Sequence, residues 1–137
     1  MISDQITKVA RETGSLHDTS FFTLTFTDDS TVTEKDVNWS DVSEELDVDM
    51  GGVRKTVYVC KFPVKHIRID HADLVAEVDV PDGCQVYQAF RSRTTLSSDG
   101  QSADTIVGRA VGIVENGVVT EERYIDVLGA QVLGFKK

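Results

Sequence analysis

In residues 20–27 the chain reads Ser-Phe-Phe-Thr-Leu-Thr-Phe-Thr, with Phe22, Leu24 and Phe26 alternating strictly with Thr23, Thr25 and Thr27. Successive side chains of an extended strand point to opposite faces, so this stretch presents one dry face and one hydroxyl-bearing face. The same two-residue rhythm governs most of the sequence after Gly52. Leu74, Ala76, Val78 and Val80 alternate with acids at Glu77 and Asp79, and Ile67 and Ile69 alternate with His66, Arg68 and Asp70. Turn-forming clusters separate these runs: Asp28-Asp29-Ser30, His71-Ala72-Asp73 and Pro81-Asp82-Gly83. Residues 53–62 and 84–96 read as further strands, and residues 5–12 and 130–135 as short strands near the two ends.

One segment departs from that period. Trp39, Val42 and Leu46 fall at i, i+3 and i+7, which predicts a short helix near residues 40–48, opened by Ser40 and ended by Gly51-Gly52. Acids at its C-terminal end would oppose the helix dipole and call for an offsetting partner.

The most specific local signal is Asn116-Gly117, the preferred pair for a two-residue type I′ hairpin turn. Such a turn fixes a register: Glu115 opposite Val118, Val114 opposite Val119, Ile113 opposite Thr120, Val111 opposite Glu122, and Arg109 beside Tyr124. The predicted fold is therefore mainly β, an antiparallel β-sandwich or partly open barrel of eight or nine strands with one short helix. No repeat, linker or low-complexity tract divides the pattern, so residues 1–137 are expected to form one domain.

Charge is distributed unevenly. Residues 1–50 hold twelve acids against three bases, whereas residues 51–137 hold eleven of each, so the net charge of −9 arises in the first third. That disfavours direct contact with nucleic acid or an anionic membrane and suits a basic protein partner, with Glu44, Glu45, Asp47 and Asp49 as the expected contact. No apolar run approaches the length of a membrane span, and no basic region followed by an apolar stretch begins the chain, so a cytoplasmic location is expected. Two cysteines without CxxC spacing, Cys60 and Cys84, read as reduced thiols.

No motif in the sequence specifies a reaction. His66 and Asp70 share a strand face but stand roughly 13 Å apart, too far to chelate one metal. Asp47-Val48-Asp49-Met50-Gly51 lacks the remaining ligands of a calcium loop. Gly108 and Gly112 lie within a strand pattern rather than between a strand and a helix, so no phosphate loop is present. The expectation is a protein that is not an enzyme and needs no metal or cofactor. The best candidate ligand site is a row of cations, Arg91 and Arg93 with Arg109 and Tyr124 from the hairpin, able to hold a small anion such as a nucleotide.

Three functions follow in order. First is a non-catalytic structural or interaction protein, self-associating as a homo-oligomeric component of a larger assembly of the viral or phage kind. Second is a module binding a small anionic ligand through those arginines. Third is an acidic mimic of nucleic acid that inhibits a basic protein.

Overall fold

The structure, a computed structural model, describes residues 1–10, 20–96, 100 and 103–126, and within these the side chains other than those of 91–96, 103–107 and 126. Nine strands form two sheets: β1 (Ser20–Phe26), β2 (Thr31–Thr33), β3 (Ser43–Met50), β4 (Val53–Cys60), β5 (Val64–His71), β6 (Leu74–Asp79), β7 (Gln85–Leu96), β8 (Ala103–Glu115) and β9 (Val118–Asp126). A four-stranded sheet runs β2-β1-β5-β6, and β3-β4-β7-β8-β9 close into a barrel. The mainly β fold expected from the alternation is what the chain adopts. The barrel closes thinly at two seams, through Val59 opposite Tyr87 and through the parallel pair Asp49 and Val118.

Two cores result. The sheet lays Phe22, Leu24, Phe26, Ile67, Ile69 and Val78 against Val86, Val111, Ile113 and Ile125 from the outside of the barrel wall. The barrel lumen holds a smaller core of Val48, Val59, Tyr87 and Val114. Strand β8 is therefore covered on both faces, and residues 108–114 are buried without interruption.

The predicted helix is much shorter than its spacing suggested. A single turn, α1 (Trp39–Val42), buries Val42 and packs Trp39 edge-on against Phe22 with 5.0 Å between ring centroids. Residues 43–50 are strand, because Leu46, Val48 and Met50 also alternate with Glu45, Asp47 and Asp49, and a strand in that register lines the barrel lumen. Gly51 and Gly52, at φ +63° and +89°, make the β3–β4 hairpin turn rather than a helix end. The acids thus oppose no helix dipole. Near the N-terminus, Ile2–Gln5 is a 3-10 turn and residues 6–10 carry no strand, in place of the strand expected at 5–12. The expected strand at 130–135 lies outside the described residues. His71 ends β5 instead of opening a turn, which Ala72 makes at φ +54°.

At the last hairpin, Asn116 and Gly117 take φ +52° and +79°, and Glu115 and Val118, then Val114 and Val119, pair as expected. A bulge follows. Ile113 faces Glu121, leaving Thr120 over, and Arg109 comes opposite Ile125 while Tyr124 comes opposite Ala110. A one-residue slip turns every later side chain to the other face. Here it delivers Ile125 to the inter-sheet core, where it is buried.

Candidate functional site

Arg109 is the largest fully buried side chain of the described residues, with none of its surface exposed. It sits on the inter-sheet face of β8, at one end of the apolar core, and its guanidinium crosses to the four-stranded sheet. Nη1 donates to Glu34 Oε1 at 2.7 Å and to the carbonyl and Oγ of Ser20, both at 3.3 Å. Nη2 donates to Gln88 Oε1, and the half-exposed Phe90 ring covers the outer side, 4.4 Å from ring centroid to guanidinium carbon. Ser20 Oγ also meets Nδ1 of the fully buried His71 at 3.1 Å. Burial and the adjacent Arg109 charge hold the His71 imidazole below the usual histidine value. Two nitrogens in this cluster, His71 Nε2 and Arg109 Nε, are buried without a hydrogen-bond partner among the described residues.

The expected anion site does not assemble around Arg109. Arg109 and Tyr124 lie on opposite faces of the barrel wall, because the bulge moves Tyr124 opposite Ala110. Arg109 is already engaged by a buried carboxylate, and Tyr124 stands at the surface with 40% exposure. Arg91 and Arg93 occupy strand positions opposite Gly108 and Ile106, and their side chains lie outside the described residues. Sequence reasoning missed Ser20, Glu34, His71 and Gln88. The signal was there in Gly-Arg-Ala-Val-Gly-Ile-Val at 108–114, since a charge inside an otherwise small and apolar run must find a buried counter-charge.

Of the four acids expected to meet a basic partner, Glu44 is parted from the other three. Glu45, Asp47 and Asp49 share the outer face of β3, where Glu45 accepts from Tyr58 Oη at 3.2 Å, Asp47 from Thr56 Oγ1 at 2.7 Å and Asp49 from the Gly52 amide at 2.7 Å. Glu44 takes the other face, opposite Val59, and is exposed. On the outer face of the four-stranded sheet, His66 lies between Asp79 (2.8 Å) and Glu77 (3.3 Å), and Arg68 binds Asp70 at 2.9 Å. The carboxylates engage different ring nitrogens of His66, a ladder of side-chain contacts rather than a chelate. Among the described residues no three groups are gathered to hold a metal.

A pocket of about 310 Å³ opens at the opposite end of the inter-sheet core, between the Phe62-Pro63 bend and the Pro81–Cys84 turn. Both cysteines line it, and both are free. Burial pushes the Cys60 thiol up to about 11 and raises that of Cys84 as well. Neither thiol is set up as a nucleophile, which would need a lowered value.

No helix among the described residues is long and apolar enough to cross a membrane. Comparison with protein-family models, with curated proteins and with solved structures returned no match.

Proposed function

We propose that this chain is a non-catalytic structural or interaction protein that associates with further copies of itself along the free edge of β6. The observation carrying this reading is the edge itself. Among the described residues β6 is the last strand of its sheet, with Leu74 and Val75 at 46% and 47% exposure. Edge strands that stay single are blunted by charged side chains, Lys above all, by Pro, by a bulge or by short length, and the first half of Leu-Val-Ala-Glu-Val-Asp, Leu74 to Ala76, carries no charge, Pro or bulge. Its two acids meet side chains of the neighbouring strand, Glu77 at 3.3 Å from His66 and 3.9 Å from Arg68, and Asp79 at 2.8 Å from His66. An antiparallel pair of β6 strands centred on Ala76 sets Leu74 against Val78 and Val75 against Glu77, with Asp79 falling level with Asp73 just outside the partner strand.

The cluster around Arg109 supports a non-catalytic reading. Its one carboxylate is bonded to its one guanidinium, and its histidine is buried away from solvent. Light scattering after size exclusion tests self-association directly. A dimer or larger ring is expected for the wild type, and Val75→Lys is expected to return monomer with the folded spectrum retained. A wild type that stays monomeric at every accessible concentration rejects the proposal.

The acidic row Glu45, Asp47 and Asp49 favours a second reading, contact with a basic protein, since carboxylates at every second position, exposed at Glu45 and Asp47, give the outer face of β3 a regular negative charge. Salt-sensitive binding to a basic partner, lost in Glu45→Gln/Asp47→Asn, would carry that reading instead.

A further inference from the structure

We propose that the buried Ser20–His71–Arg109–Glu34 cluster is an acid-sensitive latch that couples the four-stranded sheet to the barrel and releases when His71 takes a proton.

Ser20 and His71 belong to the sheet, on β1 and β5, where they pair directly. Arg109 belongs to the barrel, and Glu34 follows β2. Exposure of the four residues is 1%, 0%, 0% and 5%, so solvent does not screen what passes between them. An arginine can only donate, and Ser20 Oγ accepts from Arg109 Nη1, so the hydroxyl has its own proton free to give. With His71 neutral, Ser20 Oγ and His71 Nδ1 share one hydrogen bond, in which the hydroxyl donates in one tautomer of the ring and accepts in the other.

With both ring nitrogens protonated, His71 Nδ1 can only donate, and Ser20 Oγ would then accept from two cations, His71 and Arg109. The new charge would sit beside Arg109 in a site already stripped of water. Among the described residues, the ionisable groups facing His71 are Arg109 from β8 and, beyond it, Glu34 after β2. Glu34 is bonded to Arg109 at 2.7 Å and is not available to neutralise a second cation. The neighbouring strands bring Ser20 from β1 and Leu74 from β6 at the positions paired with His71, neither of them charged. Among the described residues His71 Nε2 has no partner to share the charge.

The sign follows from linkage. A histidine held below its ordinary value of 6.5 in the folded chain binds its proton more readily when unfolded. Its contribution is complete above about pH 6.5 and is lost as pH falls below it, by up to about tenfold in the folding equilibrium constant per pH unit.

The experiment follows urea denaturation of the full chain from pH 8 to pH 5 for the wild type, His71→Gln, His66→Gln and His17→Gln. The latch requires that the loss below pH 6.5 disappear in His71→Gln and persist in the other two. A His71→Gln profile that keeps the wild-type slope overturns it. Should that variant not fold, imidazole resonances of the wild type decide. A His71 ring still neutral at pH 6 supports the latch, and one half-protonated at its ordinary value refutes it. Amide protection in the same range separates latch from general unfolding. Strands β1 and β5 are expected to lose protection before β7 and β8, and simultaneous loss in all four overturns the release step.

Discussion

The ring of Tyr87 lies across Gly112, its direct neighbour on the adjacent strand, in the space that a side chain at 112 would need. From there the phenol donates to Glu122 on the third strand, opposite the same glycine. Three barrel strands are thereby tied by one side chain that passes over a gap in the middle one. The missing Cβ is the condition for this crossing, and Gly112→Ala is expected to drive the ring out of the lumen core. Overpacking of this kind costs about 3 kcal/mol. A urea midpoint for Gly112→Ala within about 0.5 kcal/mol of the wild type, the range of an ordinary surface change, would contradict the crossing.

Arg109 and Glu34 form a buried pair, and such pairs behave asymmetrically. Removing one partner strands the other in a dry site at a cost of about 3–5 kcal/mol, whereas replacing both by apolar groups of similar volume is often neutral. Glu34→Leu and Arg109→Met are each expected to lose most of that amount. The double variant Glu34→Leu/Arg109→Met is expected to recover much of it. Chemical denaturation of the four proteins in one cycle measures the coupling, and strictly additive losses would mean that the pair is not a unit.

How far the sequence disclosed this arrangement depended on how many faces of a strand were buried. Where one face is dry, as in β1, alternation located the strand and its inward residues, whereas in the edge strand β6 it located the strand but not its burial, since Leu74 is exposed and Val78 is the buried residue. Ser43–Met50 satisfied two periods at once, and the helical reading of Trp39, Val42 and Leu46 prevailed in the sequence although the barrel needs a strand there. Strand β8 is buried on both faces, so alternation had nothing to report about which way Arg109 points. Arg109 shares the face of Val111 and Ile113, and what parted it from Tyr124 was the bulge at Thr120, a one-residue irregularity that the Asn116-Gly117 turn does not foretell. The partners Ser20, Glu34 and His71 lie 89, 75 and 38 residues away and belong to another sheet, a proximity that only the tertiary fold creates.

The thiols differ in access. Cys60 is 2% exposed with its thiol pushed up to about 11 by burial, while Cys84 is half-buried at the pocket mouth. Maleimide at neutral pH is expected to modify Cys84 first and to reach Cys60 only at the rate of unfolding. Mass spectrometry of Cys84→Ser should show slow labelling that accelerates through the urea transition. Rapid native labelling of Cys60 would mean that the end of β4 opens far more readily than its packing allows.

Asp28 is the residue that fastens the N-terminal turn to the first hairpin. Its carboxylate accepts from the Ser30 hydroxyl and amide and, at 2.6 Å, from the amide of Ile2. These bonds, the Ser30 hydroxyl foremost, lower its value from 3.8 to about 2. A carboxylate depressed in the folded state contributes stability that is present above its unfolded value and lost as pH falls through the folded one. The wild type is therefore expected to weaken between about pH 4 and pH 2 partly through this group. Asp28→Asn keeps an acceptor oxygen but cannot titrate, so it should begin less stable at pH 7 and lose less over that window. Thermal melts of both proteins from pH 7 to pH 2 give the two curves, and parallel curves would show that the Ile2 and Ser30 contacts add nothing to the folded state beyond what the unfolded chain already has.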